Sequence, residues 1–388
     1  MKKPNQLFGN IKIGGTNVHV MACRDIDNQN EIMFHLWEQS AESARALRCV
    51  LVPNGDGMLH GSVVNFYRAD DSGALRLPNL TEEEKAELRS LRIVVKLDND
   101  KCEGHWSSSN ESGNISLTKF PGGGRVQATP LESWSDFKAW AMRARTEHNI
   151  ELFRGHGDSS FPLCTTFHRT GRQILTKYCD FTLPEFRSHV EAALGVRLNE
   201  DRRDFGTLLA LAQHHGLPTP MLDFTKSPYI AAFFAFSDAI EQDRPDATHV
   251  RVFGITESAL ASSTPNIVSL TAGTPIIQRL SVSPINNPRL YAQQGQFLVT
   301  NLTDVELFIT ENEQTNEMRT LYAVDVPISE AVTALEDLKY MGLTAATMFP
   351  GLDGACRMMR HDMLFKAKRV ESAELGEQSQ QLKLSSPN

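Results

Sequence analysis

Between residue 7 and about residue 120, apolar positions recur at every second residue in short runs. NVHVMAC, IMFHLWEQ, LRCVLVP, GSVVNFYRA, LRIVVKL and NISLTKF alternate or are rich in β-branched residues. NGDG (54–57) and DDSG (70–73) separate them as turns. The pattern predicts an all-β unit, a small barrel or a sandwich. GHWSSSNESGNISL (104–117) reads as a hairpin around a Ser/Asn/Gly turn, and TEEEKAELRS (81–90) as a short helix capped by Thr81.

The period changes after PGGGR (121–125), whose three glycines resist ordering and suggest a linker. SWSDFKAWAMRARTE (133–147) is helical in period, with Phe137, Trp140 and Ala141 on one face. The strand IELFRG follows. A second helix, FGTLLALAQHHG (205–216), stops at Gly216. LPTPMLDFT must be extended because its prolines forbid helix. SPYIAAFFAFSDA starts a third helix with Ser227 as N-cap and Pro228 at the first helical position. THVRVFGI, QFLVTNL and TLYAVDVP are strands, and SEAVTALEDLKYMG (329–342) is a helix ended by glycine. The predicted fold class is α+β. An N-terminal β-rich domain (1–122) precedes a mixed α+β domain (126–370) and a polar tail (371–388).

Composition narrows this only a little. A chain of 388 residues is long enough for two domains of roughly 100–200 residues each. A net charge of -8 argues against a broad nucleic-acid-coating surface and leaves a local basic groove open. The six cysteines show no CxxC pair and no zinc spacing. They read as buried thiols in a reducing compartment, with no metal site expected. MKKPNQLFGN lacks an apolar signal core, and YIAAFFAF (229–236) is too short to span a bilayer. A cytoplasmic protein without a membrane partner is expected.

Four segments of the second half carry candidate chemistry. In the first, Arg154 stands beside Gly155 at what reads as the end of a strand. It is either the ion-pair partner of Asp223 or a bidentate anion ligand, with Gly155 allowing close approach. Spacing alone does not choose. The second, LAQHHGLPTPMLDFTKSPYIAAFFA (211–235), places His214 at a helix end and Asp223, Thr225 and Ser227 before a new helix. That helix start suits an anion, although spacing alone favours the reading in which Asp223 and Thr225 only fix the turn. The third, RLYAQQGQF (289–297), offers Gln293 and Gln294 for hydrogen bonding rather than acid–base work. The fourth, MGLTAATMFPGLDG (341–354), reads as structural: Leu343, Met348, Phe349 and Leu352 fill a core and Asp353 caps a helix.

Together these four segments resemble the FRG domain family, in the family's order, over about residues 133–365. The chain has Pro220 where that family usually has arginine. More distantly, the same layout is similar to the arginine-type ADP-ribosyltransferases. That resemblance implies a split sheet, with NAD as substrate and Arg154 on its phosphates. Asp223, Thr225 and Ser227 would stand in for a Ser-Thr-Ser element, and Gln293 or Gln294 for the glutamate that holds the nicotinamide ribose. It further implies that ADP-ribose moves to a protein or nucleic acid, in a toxin or an antiviral defence effector. His214 and Asp223 would then shape or polarise the nicotinamide site. The N-terminal domain would recognise the target or restrain activity, and could pair with a partner or with itself.

Two other classes remain open. One is a non-catalytic NAD- or nucleotide-binding module, because a glutamine replaces the expected glutamate. The other is a hydrolase or nuclease using His214 and Asp223, for which no GxSxG elbow, HExxH or carboxylate cluster is present. The transferase reading requires Arg154, Asp223 and Gln294 to meet in space.

Overall fold

The computed structural model describes residues 5–119 except 56, 125–198, 202–261 except 243, 269–280, 282, 288–316 and 318–364. The alternating runs of the first half become strands β1 (Leu7–Ile13), β2 (Thr16–Asp25), β3 (Asn28–Trp37), β4 (Arg45–Pro53) and β5 (Leu59–Ala69). The two-residue β6 (Leu75–Arg76), then β7 (Arg92–Leu97), β8 (Lys101–Ser107) and β9 (Ser112–Thr118), complete the set. All pair antiparallel. β1 bonds to both β2 and β9, and β4 to both β3 and β5, so the sheet closes into a barrel with β6 appended at the edge of β5. Closure removes the exposed edges that an open sheet would carry. The helix Glu82–Ser90 is capped by Thr81 as expected, and Glu84 completes a capping box with it.

Barrel strands have two faces, and both matter here. Ile32, Phe34 and Leu36 point into the barrel with Val18, Val20 and Leu51. Alternate residues Met21, Cys23 and Met33 point outward into a second core, shared with Leu152, Leu222, Phe224 and Phe253 of the α+β region. Burial on both sides explains why β2 and β3 read as nearly continuous apolar runs. Polar contacts lock the seam. Asp25 Oδ1 accepts from the backbone N–H groups of Gln173 and Ile174 at 2.7 and 3.0 Å. Gln6 Nε2 donates to the Asn301 carbonyl at 2.6 Å, and its Oε1 accepts from Thr303 N at 2.8 Å.

The second sheet has seven strands: β10 (Thr129–Pro130), β11 (Ile150–His156), β12 (Met221–Thr225), β13 (His249–Thr256), β14 (Ile277–Leu280), β15 (Gly295–Thr300) and β16 (Leu321–Pro327). Their order is β10-β16-β13-β11-β12-β15-β14, and only β10 runs parallel to its neighbour. β11 and β12 are joined by one residue pair, Phe153 with Thr225, so the sheet narrows there. The helices Trp134–His148, Pro228–Glu241 and Ala331–Tyr340 pack on one face through Phe137, Phe233, Phe236 and Leu338.

Several expectations change. β11 continues two residues past Arg154, so that arginine lies inside a strand rather than at its end. Leu352 is 80% exposed and fills no core. Asp353 sits within a helix at 352–364. Of the six cysteines Cys23, Cys49 and Cys102 are buried, whereas Cys356 is exposed. Four residues of the PGGGR linker segment (121–124) and all of the polar tail fall outside the described residues.

Candidate functional site

The four segments converge on one cleft of about 750 Å³. Its walls include Arg154, Gly155 and His156 from β11, Gln213 and His214 from the helix Arg202–His214, and Asp223 and Thr225 from β12. Gln293, Gln296 and Phe349 complete the polar and aromatic lining. Five arginines line it in all (Arg154, Arg169, Arg244, Arg289 and Arg357), against the carboxylates of Asp223 and Asp238.

Arg154 is held by two hydrogen bonds. Its Nε donates to His156 Nε2 at 3.0 Å, and one terminal nitrogen donates to the backbone carbonyl of Asp223 at 2.6 Å. The Asp223 carboxylate is 4.0 Å away, at the limit of an ion pair, and instead accepts from Gln213 Nε2 at 2.9 Å. Gln213 also accepts from the Thr219 hydroxyl, which fixes its amide. The neighbouring strand shows what a structural ion pair looks like in this sheet. Arg251 on β13 grips Asp325 with two bonds of 2.7 and 2.8 Å, and the Asp325 bond raises its pKa. Arg154 is lowered instead, because burial costs its charge more than Asp223 returns. Its two bonds use two of a guanidinium's five N–H donors.

His156 is the buried neighbour that sets the direction of Arg154. Nδ1 lies 3.2 Å from the Phe161 carbonyl oxygen, so the proton sits there and Nε2 accepts. Burial, then the charge of Arg154, push its pKa down to about 3.

Gly155 lines the cleft, but its size answers to packing. A β-carbon there would fall on the carbonyl oxygen of Ala231 in the helix behind the strand. Thr225 is buried and ties the loop: its hydroxyl donates to the Gln293 carbonyl at 2.8 Å and accepts from Ser227 N at 3.2 Å. Ser227 caps its helix by accepting from Ile230 N at 3.4 Å and is not among the lining residues. Gln294 is also outside the lining. It occupies a left-handed turn at φ 47° and is exposed. Thus Arg154 and Asp223 meet, while Gln293 and Gln296 stand where Gln294 was expected. Gln293 Nε2 donates to the Met348 carbonyl at 3.0 Å, joining the third and fourth segments. His214 is exposed, packs edge-on against His215, and has its pKa lowered by partial burial and by Arg289. Among the described residues no hydrogen bond joins it to Asp223 as an acid–base pair would require.

Arg169, Arg244, Arg289, Arg357 and Gln296 were not singled out in the sequence, since each stands outside a recognisable polar pattern. Phe349, which packs half-buried against the helical core as expected, is also near two of them, with Arg357 at 4.6 Å and Arg289 at 5.6 Å from its ring centre. A second cleft of about 880 Å³ at the seam with the barrel contains none of the singled-out residues. Among the described residues no group of three His, Cys, Asp or Glu is placed to hold a metal ion, and no helix is long and apolar enough to cross a membrane.

Residues 149–244 carry an FRG domain. That range contains the first two segments, and the fold brings the third and fourth onto the same cleft from outside it. No curated protein and no solved structure matches the chain.

Proposed function

We propose that the cleft binds NAD and that the chain is an ADP-ribosyltransferase-like protein acting on a protein or nucleic acid. The observation that carries this reading is the meeting of Arg154, Asp223 with Thr225, and Gln293 with Gln296 on one arginine-rich cleft. They come from β11, β12 and the entry to β15, which are consecutive in the sheet. The narrow β11–β12 junction suits the split sheet that the resemblance implies.

The chemistry fits a dinucleotide. Guanidinium groups match phosphate oxygens two at a time. The volume lies in the range of small-molecule sites. Phe161 and Phe349 offer faces for a base or nicotinamide ring, and the glutamine amides suit ribose hydroxyls. In transfer, the bond between ribose C1′ and the nicotinamide nitrogen breaks, and nicotinamide leaves with the electron pair. An acceptor nucleophile adds at C1′ and gives up its proton. The developing positive charge on the ribose needs a carboxylate nearby. With glutamines at the entry to β15, Asp223 is the candidate for that role, and His214 at the rim borders the nicotinamide end. By analogy, the barrel would recognise the target or restrain activity, as in a toxin or antiviral effector.

The glutamines also favour a second reading, a module that binds NAD without turning it over. One experiment separates the two. The purified chain and its Arg154→Ala variant are titrated with NAD, and nicotinamide release and label transfer into cell extract are followed. Binding weakened roughly tenfold or more in the variant, with release by the parent, is the expected result. Arginine-dependent binding without release establishes the module. Neither binding nor release in the parent removes NAD from the cleft.

A further inference from the structure

We propose that the outer face of the helix at 352–364 is a self-association surface, on which a second copy of the chain docks the same helix antiparallel. The inner face of this helix is already engaged. Met358 and Leu364 pack against the helical core. Arg357 lines the cleft and donates to Glu241 at 2.7 and 2.9 Å, and His361 pairs with the same carboxylate. The outer face carries Leu352, Cys356, Met359 and Met363, spaced four, three and four residues apart. That spacing lines them up in one stripe along about 17 Å of helix. All four are exposed, Leu352 at 80%, Met359 at 63% and Met363 at 72%. A helix that is apolar on both faces lowers its free energy when both are covered. Methionine side chains adapt easily to an opposing surface.

The charges beside the stripe select a second copy as the occupant. In heptad terms Leu352 and Met359 take d positions, and Cys356 and Met363 take a positions. Turned antiparallel on itself, the stripe sets Leu352 against the partner's Met363 and Cys356 against the partner's Met359. Asp353 and Arg360 both occupy e positions on one flank of that seam. The same register brings Asp353 beside the partner's Arg360, and the two-fold axis makes the pair twice. Both residues are exposed. Within its own chain Asp353 stands 3.6 Å from Arg289, too far for a hydrogen bond to hold it there. The other flank pairs Ala355 with the partner's Asp362, so no like charges meet across the seam. Asp362 itself is bound by Lys339 of its own chain at 2.8 Å.

A stripe of four side chains is small for an interface, so the pairing is weak, with a dissociation constant of roughly 1–100 μM. It also lies back to back with the cleft, because the helix that carries the stripe is the one that sends Arg357 into it.

The test is sedimentation velocity of the full chain across that concentration range, with reductant present so that Cys356 forms no disulfide. The parent should pass from monomer to dimer. Met359→Glu should stay monomeric at every concentration, with an unchanged melting temperature because the side chain is exposed. Arg360→Asp should weaken the dimer roughly threefold or more, since each dimer loses two ion pairs. Asp353→Arg combined with Arg360→Asp should restore it, because the two-fold pair then has its signs exchanged. A dimer that Met359→Glu leaves intact forms through another face and overturns the proposal. Failure of the double exchange to restore what Arg360→Asp loses overturns the antiparallel register. A monomeric parent overturns the proposal outright, and maleimide labelling of Cys356 then tells whether residues 365–388 cover the stripe instead.

Discussion

Gly155 shows how a motif residue can answer to packing while standing at a cleft. The chain around it places the helix Pro228–Glu241 so close to β11 that a methyl group has no room. Gly155→Ala should push strand and helix apart and lower stability by about 1–3 kcal/mol, the usual range for overpacking. Chemical denaturation measures this directly. If Gly155 served only ligand approach, the variant would keep its stability and lose affinity alone. At this scale the sequence was partly legible. Arg154 was conspicuous because a charge beside a glycine interrupts an apolar strand. Its choice between ion pair and ligand was not, because that depends on a carboxylate standing 4.0 Å away and held by Gln213. Arg169 and Arg357 were invisible, since nothing in their local sequence distinguishes a cleft arginine from one on the surface.

The second helix start of the site illustrates what elements reveal of themselves. Ser227 and Pro228 mark it in the sequence, and the folded chain uses both: Ser227 accepts from Ile230 N, and Pro228 opens the helix. The Ser227 backbone N–H is also taken by Thr225, so the cap is tied to the loop that carries Gln293. Ser227→Ala should cost about 1 kcal/mol of stability while leaving the Thr225 bonds in place. A thermal melt of the variant reads that loss, and a loss several times larger would mean that the loop had come apart too. Period-2 and period-3.6 patterns gave most long elements because burial on one face writes them into the chain. The helices Leu183–Leu194 and Val305–Asn316 were missed. Val305–Asn316 is polar over most of its length and presents no clear apolar stripe, whereas Leu183–Leu194 carries Leu183, Phe186 and Val190 at helical spacing, so its signal was present in the sequence. β14 was missed as well: four residues are too few for a period, and its pairing with β15 decides it.

The barrel and the α+β region, read from the sequence as successive domains, share a core in the folded chain. Met21, Cys23 and Met33 leave the barrel to pack with Leu152, Leu222 and Phe253, and Asp25 satisfies two buried N–H groups across the seam. Neither half can withdraw without exposing apolar surface and unpaired donors, so the two should unfold together. The four tryptophans make this measurable: Trp37 and Trp106 report on the barrel, Trp134 and Trp140 on the helical layer. Variants keeping one tryptophan from each group should give superimposable denaturation curves, whereas curves with separate midpoints would mean independent domains. Asp25→Ala should lower both midpoints together, a loss of about 2–4 kcal/mol of stability, because it strands the Gln173 and Ile174 N–H groups in a buried seam. A drop seen only by the barrel tryptophans would place Asp25 in the barrel's own economy instead. Coupling of this kind gives the barrel a route to the cleft. Three residues, 170–172, separate the helix Thr166–Arg169 from the seam residue Gln173, so the segment that lines the cleft is joined to the seam by a short stretch of chain.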